Sequence, residues 1–183
     1  MLFIVFLLGG CASTPPAAVE PTPFYTTIAT PPADLADRLS KPENPVILSM
    51  TGKIDRFNAQ DSLLLNREQV MLAGVVEYDV PDPFLERSVR FRGVLMRDLL
   101  ALAGAHADAQ TLHITALNDY SVDVPVSEVI DRPVLFAMDQ DGVPMTPDFR
   151  GPAMLVFPYS HFSYDHLVYE ALWIWQIASI EVR

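Results

Sequence analysis

The sequence predicts an α+β domain built from mixed sheets and short helices, and three observations carry that expectation. Half of its 183 residues are hydrophobic, with ten Phe, six Tyr and two Trp, so the chain holds enough apolar volume for a packed core. Several short runs alternate apolar and polar residues with the two-residue period of a strand, whereas "VLMRDLLALAG" at 94–104 is the clearest run with a helical period. Strand-like and helix-like runs follow one another without the regular rhythm of a doubly wound sheet.

The chain opens with "MLFIVFLLGGC". Its apolar run is far shorter than the roughly 20 residues a membrane span needs. It has the length of the hydrophobic part of an export signal. Leu8-Gly9-Gly10-Cys11 resembles a bacterial lipoprotein signal, which makes residues 1–10 the expected signal peptide and Cys11 the expected lipidated terminus. No Lys or Arg precedes the run, a departure that a start codon placed too late explains. Ala12 resembles the second residue of lipoproteins routed to the outer membrane, so the expected location is the bacterial periplasm with an outer-membrane lipid anchor. Residues 12–45 carry eight of the sixteen prolines, and 11–45 is expected to act as an extended tether. Within it, "ADLADRLS" suits one helical turn, and Phe24 and Tyr25 are candidates to dock on the domain.

The folded domain is expected over residues 46–183. Ile47 and Leu48 begin a strand that stops near Gly52. Residues 59–74 suit a strand followed by a short helix capped by Asn66. "VVEYDVPDPFLERSVRFRGV" starts as sheet and is expected to break at Pro81 and Pro83. It then resumes with Val89 and Phe91 on one face, Arg90 and Arg92 on the other, and a junction at Gly93. The 94–104 helix presents Leu95, Leu99 and Leu102 on one side and stops at Gly104. "TLHITAL" is a strand. After Asn118-Asp119, residues Tyr120, Val122 and Val124 share a face until Pro125, and "VSEVI" suits a short helix. "PVLFAMDQDGVPM" is a strand with a hairpin turn at Asp141-Gly142. "AMLVFPY" is a strand opened by Gly151-Pro152, and Ile177, Ile180 and Val182 are expected core positions near the C-terminus.

A net charge of −11 argues against nucleic acid and anionic membrane surfaces as direct partners. One cysteine allows no intrachain disulfide and no thiolate cluster. His161 and His166 form the only close histidine pair; a metal would need at least one further imidazole or carboxylate, for which Asp165 is adjacent, but the pair reads as loop histidines, and His106 and His113 as surface residues. Asp139, Asp141 and Asp148 fit a solvated loop, and no nucleophile elbow or phosphate-binding glycine motif occurs. The remaining polar and aromatic groups sit where strands end: Tyr78, Asp79, Arg90, Asn118, Asp119, Tyr120, Arg150 and Tyr159. Such positions suit a pocket for a planar ligand, with Arg or Asn facing carbonyls, a carboxylate facing an amine and a ring stacking on the face. Each of these residues alone also suits a structural role.

"FRGVLMRDLLALAGA", "ALNDYSVDVPVSEV", "FAMDQDGVPM", "RGPAMLVFPYS" and "WQIASIEV" resemble, in order, the molybdopterin-binding domain of the sulfite oxidase superfamily, over about residues 47–182. The resemblance implies a sulfite oxidase-like α+β fold. Two departures stand out. The enzymes ligate molybdenum through a cysteine in the stretch that here reads "EYDVPDPFLERSVRF", which has none. Their Gly-Gly-Pro-Leu-Arg segment becomes Gly151-Pro152-Ala153-Met154, with Arg150 ahead of it. The "ALNDYS" form is more similar to a non-enzymatic branch of periplasmic pterin-binding proteins, which report to a membrane cyclic-di-GMP enzyme or sensor kinase. That resemblance implies a pterin as ligand, no redox cofactor and no catalysis. On that reading we expect Asp79 or Asp119 at the pterin amine, Arg90 or Arg150 at its oxo side, and Tyr120 or Tyr159 in stacking. A molybdopterin-dependent oxidoreductase with atypical metal ligation, or an assembly lipoprotein with a filled pocket, are the alternatives.

Overall fold

Strands that end at one corner of the molecule organise this chain, whose computed structural model describes residues 24–159, 161–162 and 172–183. The expected signal peptide, Cys11 and the tether as far as residue 23 lie outside the described residues, as do Asp165 and His166. In chain order the elements are β1 (Thr26–Ala29), a 3-10 turn (Leu35–Arg38), β2 (Leu48–Gly52), β3 (Leu63–Leu65), α1 (Arg67–Met71), β4 (Val75–Asp82), β5 (Arg87–Leu95), α2 (Met96–Ala103), β6 (Thr111–Ala116), β7 (Ser121–Pro125), α3 (Val126–Ile130), β8 (Leu135–Gln140), β9 (Val143–Pro144), β10 (Met154–Val156) and β11 (Ile177–Val182). One sheet runs β1-β4-β5-β8-β10 with β9 added to β8, and the other runs β3-β2-β11-β6-β7. All pairings are antiparallel except β2 with β11. This is the mixed-sheet α+β architecture expected.

Local chemistry accounts for several elements. Asn66 caps α1 reciprocally: its side chain accepts from the Gln69 amide at 2.8 Å, and Gln69 Oε1 accepts from the Asn66 amide at 3.2 Å. In α2, Met96, Leu99, Leu100, Leu102 and Ala103 are buried, and Gly104 ends the helix at φ 69°, a value that costs glycine little. Leu95, read as helical, closes β5 instead. The Asp141-Gly142 turn has φ of 51° and 79°, the left-handed pair a two-residue hairpin needs.

Two expectations are corrected. The strand does not break at Pro81: β4 continues through it, opposite Ser88. Its neighbour β1 pairs only with Val75–Glu77, so beyond that point β4 is an edge on one side, where a missing N–H is tolerated. Nor is the segment 24–45 merely a spacer ahead of a domain that starts at 46. Thr26–Ala29 forms β1, Phe24 packs 4.7 Å from the Tyr78 ring, and the Tyr25 hydroxyl accepts from Arg97 Nη2 at 2.8 Å. Leu39 is buried, and side-chain amides of Asn58 and Gln69 donate to the carbonyls of Leu39 and Ser40. β-branched Thr-Thr-Ile favours a strand, and two aromatic rings anchor it.

Gly93, expected at a junction, lies inside β5 at an irregularity in its pairing with β8. A Cβ there would sit 2.0 Å from the Phe136 carbonyl oxygen. Gly93→Ala should therefore cost at least about 2 kcal/mol in urea unfolding. Truncation of Phe24 to Ala should cost about 1 kcal/mol, as expected for a half-buried ring. A chain lacking 24–45 should melt well below one lacking only 1–23; equal melting points would restore the tether reading.

Candidate functional site

Pro81-Asp82-Pro83 at the end of β4 and Arg150 ahead of β10 meet in a buried ion pair. Both side chains are essentially excluded from solvent, at 0% and 1% exposure. Arg150 Nη1 donates to Asp82 Oδ2, and Nη2 donates to Oδ1 at 3.2 Å. Asp82 Oδ1 also accepts the amides of Phe84 and Leu85, each at 2.9 Å. Four donations thus saturate the carboxylate, which is the condition under which a buried charge is tolerated. Gln140 Oε1, at the end of β8, lies 3.5 Å from Nη1.

The guanidinium is enclosed by rings. Its carbon lies 4.5 Å from the centroid of Trp175, 5.1 Å from Phe149 and 5.8 Å from Phe84. Phe84 meets Trp175 edge-on at 5.0 Å and Trp173 at 6.2 Å, and Tyr159 stacks on Trp173 at 5.4 Å with an 11° tilt. These contacts extend the apolar corner from Arg150 to Tyr159. Three buried donors here have no hydrogen-bond partner: Arg150 Nε, Trp173 Nε1 and Trp175 Nε1. An open cleft of about 410 Å³ borders the cluster, with Gln140 and Phe149 belonging to both; Asp141, Val143, Pro144, Met145 and Thr146 complete its wall.

Backbone bonds bring the second sheet to the same corner. The Gln176 amide donates to the Arg150 carbonyl at 2.9 Å, while the Gln176 carbonyl accepts from Leu117 at 2.9 Å. Gln176 Nε2 donates to Pro147 O at 2.6 Å. The turn between β6 and β7 is thereby fixed beside the Arg150 segment. In that turn Asp119 adopts φ 64° and Asn118 Oδ1 accepts from the Tyr120 amide at 3.2 Å. All three residues are exposed.

The structure unites only some of the residues singled out from sequence. Arg150 and Tyr159 belong to the corner, and Asn118, Asp119 and Tyr120 stand at its edge. Arg150, however, is engaged by Asp82 rather than extended toward an open pocket. Tyr78 is a core residue: it is 4% exposed, and its hydroxyl donates to the carbonyls of Pro133 (3.0 Å) and Val156 (3.1 Å). Asp79 and Arg90 are cross-strand neighbours on the exposed face, joined by two 3.0 Å hydrogen bonds. They neutralise each other there. Asp139 is not in a solvated loop; it is buried and accepts from Arg67 Nη2 at 2.5 Å. His106 and His113 pair with Asp55 and Asp123.

Asp82, Phe84, Gln140, Trp173, Trp175 and Gln176 were not singled out. The alternation of Trp173 and Trp175 ahead of a strand was the available signal, since residues two apart share a face.

Hydrogen bonding from the Arg90 guanidinium holds the Asp79 carboxyl below its ordinary range, and Arg87 does the same for Asp141. A carboxyl whose folded pKa is depressed stabilises the fold above its unfolded value near 3.8, and that contribution is lost as pH falls through the lower folded value.

Residues 85–166 match the family described as the oxidoreductase molybdopterin binding domain. Among curated proteins no sequence matches the chain. Among solved structures, the sulfane dehydrogenase SoxCD from Paracoccus pantotrophus is similar in fold, with a TM-score of 0.57 at 16% identity over 74% of this chain. The match covers 37% of that chain's length. The chain therefore has a sulfite oxidase-like fold, and less than half of its length resembles the molybdopterin binding domain in sequence.

The matched family's description implies a molybdopterin. The metal portion does not fit the donors present: the chain's one cysteine is residue 11, and the described residues contain no group of three or more His, Cys, Asp or Glu suited to a metal. The corner offers N–H donors and aromatic rings, which suit an organic ring.

Asp82→Asn would leave a buried guanidinium uncompensated and should cost about 3–5 kcal/mol in urea unfolding. Asp79→Asn, at an exposed pair, should leave the urea midpoint near that of the wild type. Arg90→Gln should raise the Asp79 titration midpoint toward the ordinary carboxylate value by NMR, and any small loss of stability should be present at neutral pH and vanish as pH falls through the folded value.

Proposed function

We propose that this protein is a lipid-anchored periplasmic pterin-binding protein that acts by binding rather than by catalysis. It reports ligand occupancy to the periplasmic domain of a membrane signalling partner, a cyclic-di-GMP enzyme or a sensor kinase. The observation that carries the reading is the β4–β5 hairpin. Where the resemblance places the enzymes' thiolate, this chain has Asp79 paired with Arg90, Glu77 paired with Arg92 and Asp82 paired with Arg150. The stretch contains no sulfur to grip a soft metal.

The ligand-bearing part is then the aromatic corner and the adjacent turn. A bicyclic ring placed there contacts elements of both sheets: Phe149 and Arg150 ahead of β10, Trp175 ahead of β11, and the 117–120 turn. A ligand that binds one arrangement of these segments more tightly than another shifts their population and changes the surface presented to a partner. Asp119 is the carboxylate at the rim for the pterin amine. Acylation at Cys11 supplies the attachment that holds sensor and partner on one membrane system.

The test is to purify the full chain from its native bacterial envelope and assay it for extractable pterin by fluorescence and mass spectrometry, and for metals by elemental analysis. Near-equimolar pterin with negligible molybdenum or tungsten is expected. Asp119→Ala should lower pterin retention about tenfold, as for loss of a charged hydrogen bond. Equimolar molybdenum or tungsten would establish the oxidoreductase alternative. A chain with no bound heterocycle and no affinity for one would establish the filled-pocket alternative.

A further inference from the structure

Buried polar groups in folded proteins are nearly always hydrogen-bonded, and each exception costs about 1–3 kcal/mol. Here three exceptions fall in one place. Arg150 is 2% exposed and Trp173 is 3% exposed, and the indole nitrogen of half-buried Trp175 is likewise sealed from solvent. Arg150 Nε, Trp173 Nε1 and Trp175 Nε1 are all donors. Arg150 and Trp175 touch, and Phe84 bridges Trp175 to Trp173.

The nearest carboxylate does not relieve them, because Asp82 is already engaged by the Arg150 Nη groups and by two amides. A water accepting from these donors would have to place its own hydrogens among aromatic rings, and a stably buried water wants two to four polar partners. What such a cluster lacks is an acceptor, which a flat ligand entering from the adjoining cleft at Gln140 and Phe149 would bring as the rings part to admit it.

We infer that Trp173, Trp175 and the Nε of Arg150 form a donor array that recognises the acceptor edge, oxo oxygen and adjacent ring nitrogen, of a planar heterocycle. The inference deepens the pterin reading and rests on it for the identity of the ring. It assigns specificity to the edge bearing the 4-oxo group and N5, leaving the amine edge toward the 117–120 turn. The indoles supply direction as well as surface, so replacing them by phenyl rings keeps part of the apolar contact while removing the N–H donors.

The experiment titrates pterin and lumazine, which share the 4-oxo and N5 edge, into the full-length protein and its Trp173→Phe and Trp175→Phe variants by calorimetry, with melting points of the ligand-free proteins in parallel. Lumazine lacks the amine that Asp119 would hold, so it is expected to bind about tenfold more weakly than pterin while keeping the same tryptophan dependence. Each variant should weaken both about fivefold to tenfold. Loss of the fused ring's volume should lower the melting point of both variants modestly, so affinity is the discriminating readout: a purely packing role would lower melting and leave affinity unchanged.

Unchanged pterin affinity in both variants overturns the donor array and leaves the pterin reading standing. Binding of lumazine but not pterin, with the same tryptophan dependence, keeps the array and removes the pterin. Failure of both probes to bind the wild type overturns both.

Discussion

The pairing of Asp82 with Arg150 is the constraint around which the rest of the corner is arranged. Two charges excluded from water are tolerable only when their lone pairs and protons are nearly all used, and here the carboxylate takes four donations. To reach it, Arg150 adopts a left-handed backbone at φ 61°. The segment is held in that shape by Gln176, whose amide bonds the Arg150 carbonyl and whose side chain bonds Pro147. Rings then close over the guanidinium. The ion pair links the β4–β5 hairpin to the β10 entry, and Gln176 links that entry to the other sheet.

The fold was legible where local chemistry decides it. Asn66 and Gln69 announce a capping box, Gly104 a helix end, Asp141-Gly142 a hairpin, and alternation marks β6, β7 and β11. Legibility failed where a neighbour decides. Pro81 reads as a break, yet β1 stops short of it and leaves its missing N–H on an open edge. Thr26–Ala29 reads as tether because its proline-rich surroundings conceal a strand whose stability comes from a non-local partner.

The site divides the same way. Asp79 and Arg90 look like free polar groups in sequence, but hairpin register sets them opposite each other. Arg150 belongs to the corner, though as one half of an ion pair whose acid, Asp82, shows no local mark of burial. The tryptophans carried only a two-residue spacing; their unsatisfied nitrogens are a property of packing that no sequence pattern displays. The similarity to the molybdopterin binding domain accounts for the scaffold, and the corner's donors are this chain's own. The corner concentrates N–H groups and aromatic surface, the chemistry of holding a ring.

A crystal structure of the full chain grown with a pterin tests that account most directly. The account predicts one ring in the corner, its oxo edge within hydrogen-bonding distance of Trp173 Nε1 and Trp175 Nε1 and its face against aromatic side chains. A ring bound elsewhere, or ordered water satisfying both indoles in crystals saturated with ligand, would contradict it.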